Sequence, residues 1–124
     1  MPRGIMPILR NARRAIIDER KLMAYVLNPA HPRGRDKARL FKSALGYDRA
    51  SCGRLIEQIR HAILQHEAVS VRQDRYGRHY RVDLLLEGPR GTARVRTGWL
   101  YDRGSDVPRL TTAFVLRGPE RAPR

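Results

Sequence analysis

The stretch AVSVRQDRYGRHYRVDLLLEG, Ala68 to Gly88, decides how this chain folds. Up to His66 the apolar residues follow helical spacing; after it they recur at every second position. Tyr80, Val82, Leu84 and Leu86 fall on one side of an extended chain, with His79, Arg81 and Asp83 on the other. Gly77 supplies a turn, so the stretch predicts two antiparallel strands.

Downstream the same period continues. Gly88-Pro89-Arg90-Gly91 turns the chain into TARVRTGWLYD, where Val95, Thr97, Trp99 and Tyr101 share a face opposite Arg94 and Arg96. A looser loop, RGSDVPR, leads to a fourth strand, LTTAFVL. Residues 117–124 carry glycine, two prolines and charge, and are expected to fray.

Upstream the pattern is helical. Asp18 can cap a helix with Leu22, Tyr25 and Val26 on one face, stopped by Asn28-Pro29. Asp36 can cap a second, with Ala38, Phe41 and Leu45 inward and Gly46 as its stop. Asp48 opens a third, in which Cys52, Leu55, Ile56, Ile59 and Ile63 keep helical spacing. That spacing makes Cys52 a core residue rather than a nucleophile. The expected fold class is therefore α+β: about three N-terminal helices packed on a four-stranded antiparallel β-meander. The chain reads as a single domain over residues 1–124, with its folded core at 10–116. The apolar strand face should carry the helices, and the face with His79, Arg81, Arg94 and Arg96 should meet water.

With 124 residues and 41% apolar content the chain can bury a core without staples, and its single cysteine leaves no internal disulfide. No apolar run approaches the roughly 20 residues a bilayer requires, so no membrane partner is expected. The N-terminus lacks the apolar region of a signal peptide. A free thiol without staples suits a cytoplasm, the chain's own or that of a cell to which it is delivered. Charge is the strongest compositional signal. There are 26 Lys and Arg against 12 Asp and Glu, a formal net charge of +14, and all the lysines are Lys21, Lys37 and Lys42. A genome rich in GC favours Arg over Lys but does not explain the shortage of acids. Such a field draws polyanions, and RNA is the expected partner.

The charge concentrates after Asn28, in NPAHPRGRDKARLFK. His31 lies between two prolines and is followed by Arg33, Arg35, Lys37, Arg39 and Lys42. No Gly-rich phosphate loop or HExxH motif occurs, no histidine pair has ligand spacing, and Asp18, Asp36 and Asp48 are better read as caps. No cofactor or metal is expected. One reaction suits what remains: RNA cut by its own 2′-hydroxyl, with protein groups to move protons and stabilise the phosphorane. Histidine suits the proton work, arginine and lysine the charge, and threonine a neutral hydrogen bond to a phosphate oxygen. His31, Lys37, Arg96, Thr97 and Thr112 are the catalytic candidates. Arg33, Arg35, Arg39, His79, Arg81 and Arg94 are the nucleic-acid-binding candidates.

Each has a plainer reading beside it. His31 can cap a backbone group with its ring, and Lys37 and Arg39 can be solvated charges on a helix. Arg94 and Arg96 can pair with Asp83, Thr97 and Thr112 can be strand formers facing the core, and Trp99 is core. His79 is the other candidate base.

The run from Asn28 to Gly34, then Lys37-Ala38, Phe41 and Leu45-Gly46, resembles an uncharacterised bacterial domain. The match continues through YGRHYRVD, GPRGTARVRTGW and VPRLTTAF, and covers about residues 10–115. Domains of that kind occur as stand-alone chains and as the last domain of secreted adhesins and polymorphic toxins. That context implies a deliverable activity, commonly a nuclease, and an acidic immunity-type protein as partner. The pattern carries His31, Lys37, Arg96, Thr97 and Thr112 as functional positions. The order of helices and then meander also resembles the barnase, EndoU, colicin and RelE group of small RNases, in which RNA binds the sheet face away from the helices. The extra arginines, Arg90 in a turn among them, depart from the family pattern. Two classes of function stay open: a metal-independent ribonuclease of toxin type, and a basic module that binds nucleic acid or an acidic protein without catalysis. A purely structural protein ranks last.

Overall fold

The computed structural model describes residues 7–116, so the tail expected to fray, 117–124, lies outside the described residues. The element order is the expected one, with three helices ahead of a four-stranded antiparallel sheet. Helix α1 (residues 19–26) joins the α-helical Glu19–Lys21 to a π-helical Leu22–Val26. Helix α2 (residues 35–45) likewise joins Arg35–Leu40 to a π-helical Phe41–Leu45. Helix α3 is Cys52–Ala62, entered through a 3-10 turn at Arg49–Ser51. The sheet runs β1 (Ala68–Asp74), β2 (Gly77–Gly88), β3 (Gly91–Asp102) and β4 (Arg109–Val115), neighbours in sequence being neighbours in space. Among the described residues no helix is long and apolar enough to cross a membrane.

Local chemistry explains most of the boundaries. Asp18 accepts hydrogen bonds from the Arg20 and Lys21 amides and caps α1. Asp48 accepts from the Ala50 and Ser51 amides, while Ser51 Oγ accepts from the Asp48 amide, a reciprocal cap before α3. Gly46 ends α2 at φ 86°, in the left-handed region that glycine tolerates. Asp36 is the exception. Helix α2 begins at Arg35, so Asp36 stands inside its first turn, and the N-cap position is Gly34, which offers no side-chain cap.

The alternation seen in the strands sorts the two faces of the sheet. Val82, Leu84, Leu86, Val95, Trp99 and Tyr101 are buried with Phe41, Leu45, Leu55, Ile59 and Ile63 in one apolar cluster between helices and sheet. Cys52 is buried in it, and burial followed by the nearby Glu19 charge pushes its thiol pKa up. Trp99 is core as expected. His66 joins α3 to the sheet: its Nδ1 donates to Ala62 O at 2.7 Å, and its Nε2 accepts from the Leu85 amide at 3.3 Å. Ahead of α1, Ile16 bridges Arg109 in parallel and so covers the start of β4's outer edge. Arg60 and Tyr101 hold that N-terminal segment by donating to Ala15 O and Arg10 O at 2.7 and 2.6 Å.

Candidate nucleic-acid interface

The loop between α1 and α2 is built by its own side chains. Asn28 Oδ1 accepts from the Ala30 amide at 2.9 Å, and Asn28 Nδ2 donates back to Ala24 O. His31 Nδ1 then accepts from the Arg33 and Gly34 amides, both at 3.0 Å. The histidine thus braces the loop just ahead of α2, whose N-cap position is Gly34 without a side-chain cap, and Asp36 does not fill the capping role expected of it. Two donors converging on Nδ1 require that nitrogen to carry no proton, so the proton of the neutral ring sits on Nε2. In this structure His31 acts as a backbone acceptor within the loop. Gly34 closes the loop. A Cβ there would sit 2.0 Å from Tyr25 O, so only glycine lets the loop lie against α1.

Lys37 gathers the other candidates. Its Nζ donates to Thr112 Oγ1 at 3.3 Å and lies 5.5 Å from the Tyr25 ring centroid and 5.4 Å from that of Phe114. Tyr25 in turn meets the His31 ring edge-on at 4.5 Å. Thr112 pairs with Gly98 and Phe114 with Arg96 in the β3–β4 register, so Lys37 reaches past the β4 edge to residues of the outer sheet face. His31, Tyr25, Lys37, Thr112, Phe114 and Arg96 thus form a strip that passes from the loop onto the sheet. Tyr25 and Phe114 were not read as site residues from the sequence. The alternation of TTAFV, which sets Phe114 on the face of Thr112, is the signal that could have found the second.

Farther across that face, Arg96 Nε and Nη2 donate to the two oxygens of Asp83 at 2.9 and 3.0 Å. The Arg96 hydrogen bonds, over an opposing effect of burial, hold the Asp83 pKa low, and the charges of Arg96, Arg81 and Arg94 add to this. Three guanidinium groups around one carboxylate leave this part of the sheet positive. His79 is on the same face but apart, four residues from Asp83 along β2, or roughly 13 Å at strand rise. Its Nε2 lies 2.9 Å from Asp74 Oδ2, which also takes Arg72 Nε at 3.3 Å. Desolvation raises the Asp74 pKa, but hydrogen bonds from His79, the Tyr76 amide and Arg72 outweigh it and bring the carboxyl down to about 2.

One expectation needs correction. Thr97 is 0% exposed on the helix-covered face, where its Oγ1 donates to Val82 O at 2.7 Å and accepts from Trp99 Nε1 at 2.8 Å. Its hydroxyl serves the core and cannot reach a phosphate. The alternation that grouped Thr97 with Val95 and Trp99 already carried that signal. The cations that follow His31 in sequence do not share one place in the structure. At about 100° per residue, Lys37 points roughly 200° away from Arg35. Arg35 and Arg39 line a cleft on the other side of α2, and Arg33 is exposed.

Comparison with known proteins gives one match. The sequence model of a family described as a domain of unknown function, DUF6883, matches residues 8–117. No curated protein and no solved structure matches the chain.

Proposed function

We propose an RNA-binding function for this chain, which belongs to the DUF6883 family. The observation that carries it is the placement of Lys37, which joins Tyr25, Thr112 and Phe114 into one strip of aromatic rings and cations. Single-stranded RNA needs that pairing, because bases stack on rings while phosphates take the charge. Phosphates bind along Lys37, Arg81, Arg94 and Arg96; the Nε2–H of His31 and the hydroxyl of Thr112 add neutral donors. A cytoplasm, the chain's own or that of a target cell, is where such a surface meets RNA.

The test is anisotropy of a fluorescent single-stranded RNA, titrated at several salt concentrations. Affinity should fall steeply as salt rises, and Lys37→Met should lower the slope of log K against log salt by about 0.7. Absence of binding at low salt, or a slope that Lys37→Met leaves unchanged, would sink the reading.

Metal-independent cleavage is a second reading, and the His79–Asp74 pair favours it. A carboxylate holding His79 Nε2 leaves Nδ1 as the position for a base that takes the 2′-hydroxyl proton. Labelled RNA incubated in EDTA separates the readings. Cleavage lost in His79→Ala and kept in His31→Ala makes the protein a ribonuclease; intact RNA with wild type leaves a binding module.

A further inference from the structure

A second concentration of positive charge lies on the helical side of the molecule. Arg35, Arg39 and Lys42, spaced four and three residues apart, follow one side of α2. Arg49 joins them from the turn before α3, and Arg90 from the tip of the β2–β3 hairpin. Together they border a cleft of about 550 Å³, floored by the exposed Pro29 with the largely buried Leu27 and Ala38. The hairpin tip is fastened in place. The Arg90 amide donates to Leu45 O at 3.0 Å, and the Arg90 Cγ lies so close to Gly46 that a Cβ there would approach to 2.8 Å.

Among the described residues none of these five cations makes an ion pair, whereas Arg72, Arg96 and Arg109 on the sheet each hold a carboxylate. The one acid in the lining, Asp48, accepts from the Ala50 and Ser51 amides through Oδ1, and its single negative charge leaves the lining strongly positive. Five like charges around one concavity repel each other, and an anion with several charges relieves that repulsion. The apolar floor favours a ligand with a flat uncharged part, and the volume lies within the range of small-molecule sites.

We propose that this cleft binds a nucleoside polyphosphate, its phosphates held by Arg35, Arg39, Lys42, Arg49 and Arg90 and its base laid on the apolar floor. The ligand is either a free nucleotide or the 5′-triphosphorylated end of an RNA, which present the same chemistry. The site is separate from the Lys37 strip, which lies on the other side of α2, so it stands or falls independently of the RNA-binding reading.

Titration calorimetry with GTP, guanosine, inorganic triphosphate and a short RNA with or without a 5′-triphosphate tests the proposal. GTP should bind at least tenfold more tightly than inorganic triphosphate, and guanosine should not bind measurably. Arg39→Gln combined with Arg90→Gln should weaken GTP at least tenfold, while Lys37→Met leaves it unchanged. Both arginines are exposed, so the fold should survive, and thermal melting verifies it. Tighter binding of the triphosphorylated RNA than of GTP, with the same dependence on these arginines, assigns the site to RNA ends; the reverse assigns it to free nucleotides. No GTP binding, equal binding of inorganic triphosphate, or indifference to the double variant overturns the proposal.

Discussion

His31 shows how one ring nitrogen can settle a role. Because Nδ1 accepts two backbone amides, the ring belongs to the loop ahead of α2 before it belongs to any ligand. Its replacement should behave like removal of a hydrogen-bond acceptor that holds the loop. His31→Ala is expected to lose about 1 kcal/mol in denaturant unfolding, through the two loop amides left without their acceptor, while keeping most RNA affinity. A variant of unchanged stability that no longer binds RNA would contradict this. Thr97 is the buried counterpart. Thr97→Val keeps the shape but orphans the Trp99 indole N–H and deprives Val82 O of a donor, at an expected cost of roughly 1–3 kcal/mol. Thr97→Ser should recover most of that in the same unfolding experiment, and neither change should alter RNA affinity.

Individual elements carry a different burden, best seen in the sheet. Its exposed side holds carboxylates pulled below their ordinary range: Asp74 by several donors, Asp83 by Arg96, and Asp102 by the Arg109 guanidinium at 2.9 and 3.0 Å. A carboxylate depressed in the folded state adds stability above its ordinary pKa, and that contribution disappears as the folded group is protonated. For Asp74 the window runs from the ordinary 3.8 down to about 2. The urea midpoint should therefore change little between about pH 7 and 5 and fall below about pH 4. Asp74→Asn should lessen that fall; a midpoint independent of pH down to about 3 would refute the assignment. The helices bear their load through close approach instead. With Gly34 against the Tyr25 carbonyl, α1 and α2 hold the His31 loop where Lys37 can span from Tyr25 to β4.

For the whole molecule the governing quantity is the distribution of a formal charge of +14. Among the described residues, part of it lies on the sheet side, where carboxylates offset some of the charge, and part borders a helical cleft without ion pairs. A polyanion that uses only the sheet strip should show a modest salt dependence: about four phosphates on a single strand give a slope near −3. A slope twice as steep would mean that the strand also engages the cleft. Measured slopes for wild type and for Arg39→Gln with Arg90→Gln distinguish these cases, because only the second arrangement loses slope in the double variant.

The amino-acid sequence by itself determined the layers of this protein. A pleated strand repeats every two residues and a helix every three or four, so the pattern of apolar residues already states which face is buried. That is why Val82, Val95 and Trp99, and Phe41, Leu55 and Ile59, could be assigned to the core, and why the caps at Asp18 and Asp48 were legible: each depends on neighbours within a few residues. The π-helical turns of α1 and α2 and the seating of Ile16 on β4 were not legible, for both depend on what packs against them. Only the tertiary structure decided the candidate site. Lys37 meets Thr112 across 75 residues of sequence, and its neighbours Arg35 and Arg39 turn to a different cleft. Charges adjacent in sequence need not be adjacent in space, because a helix points them in different directions and long-range packing chooses which direction meets the sheet.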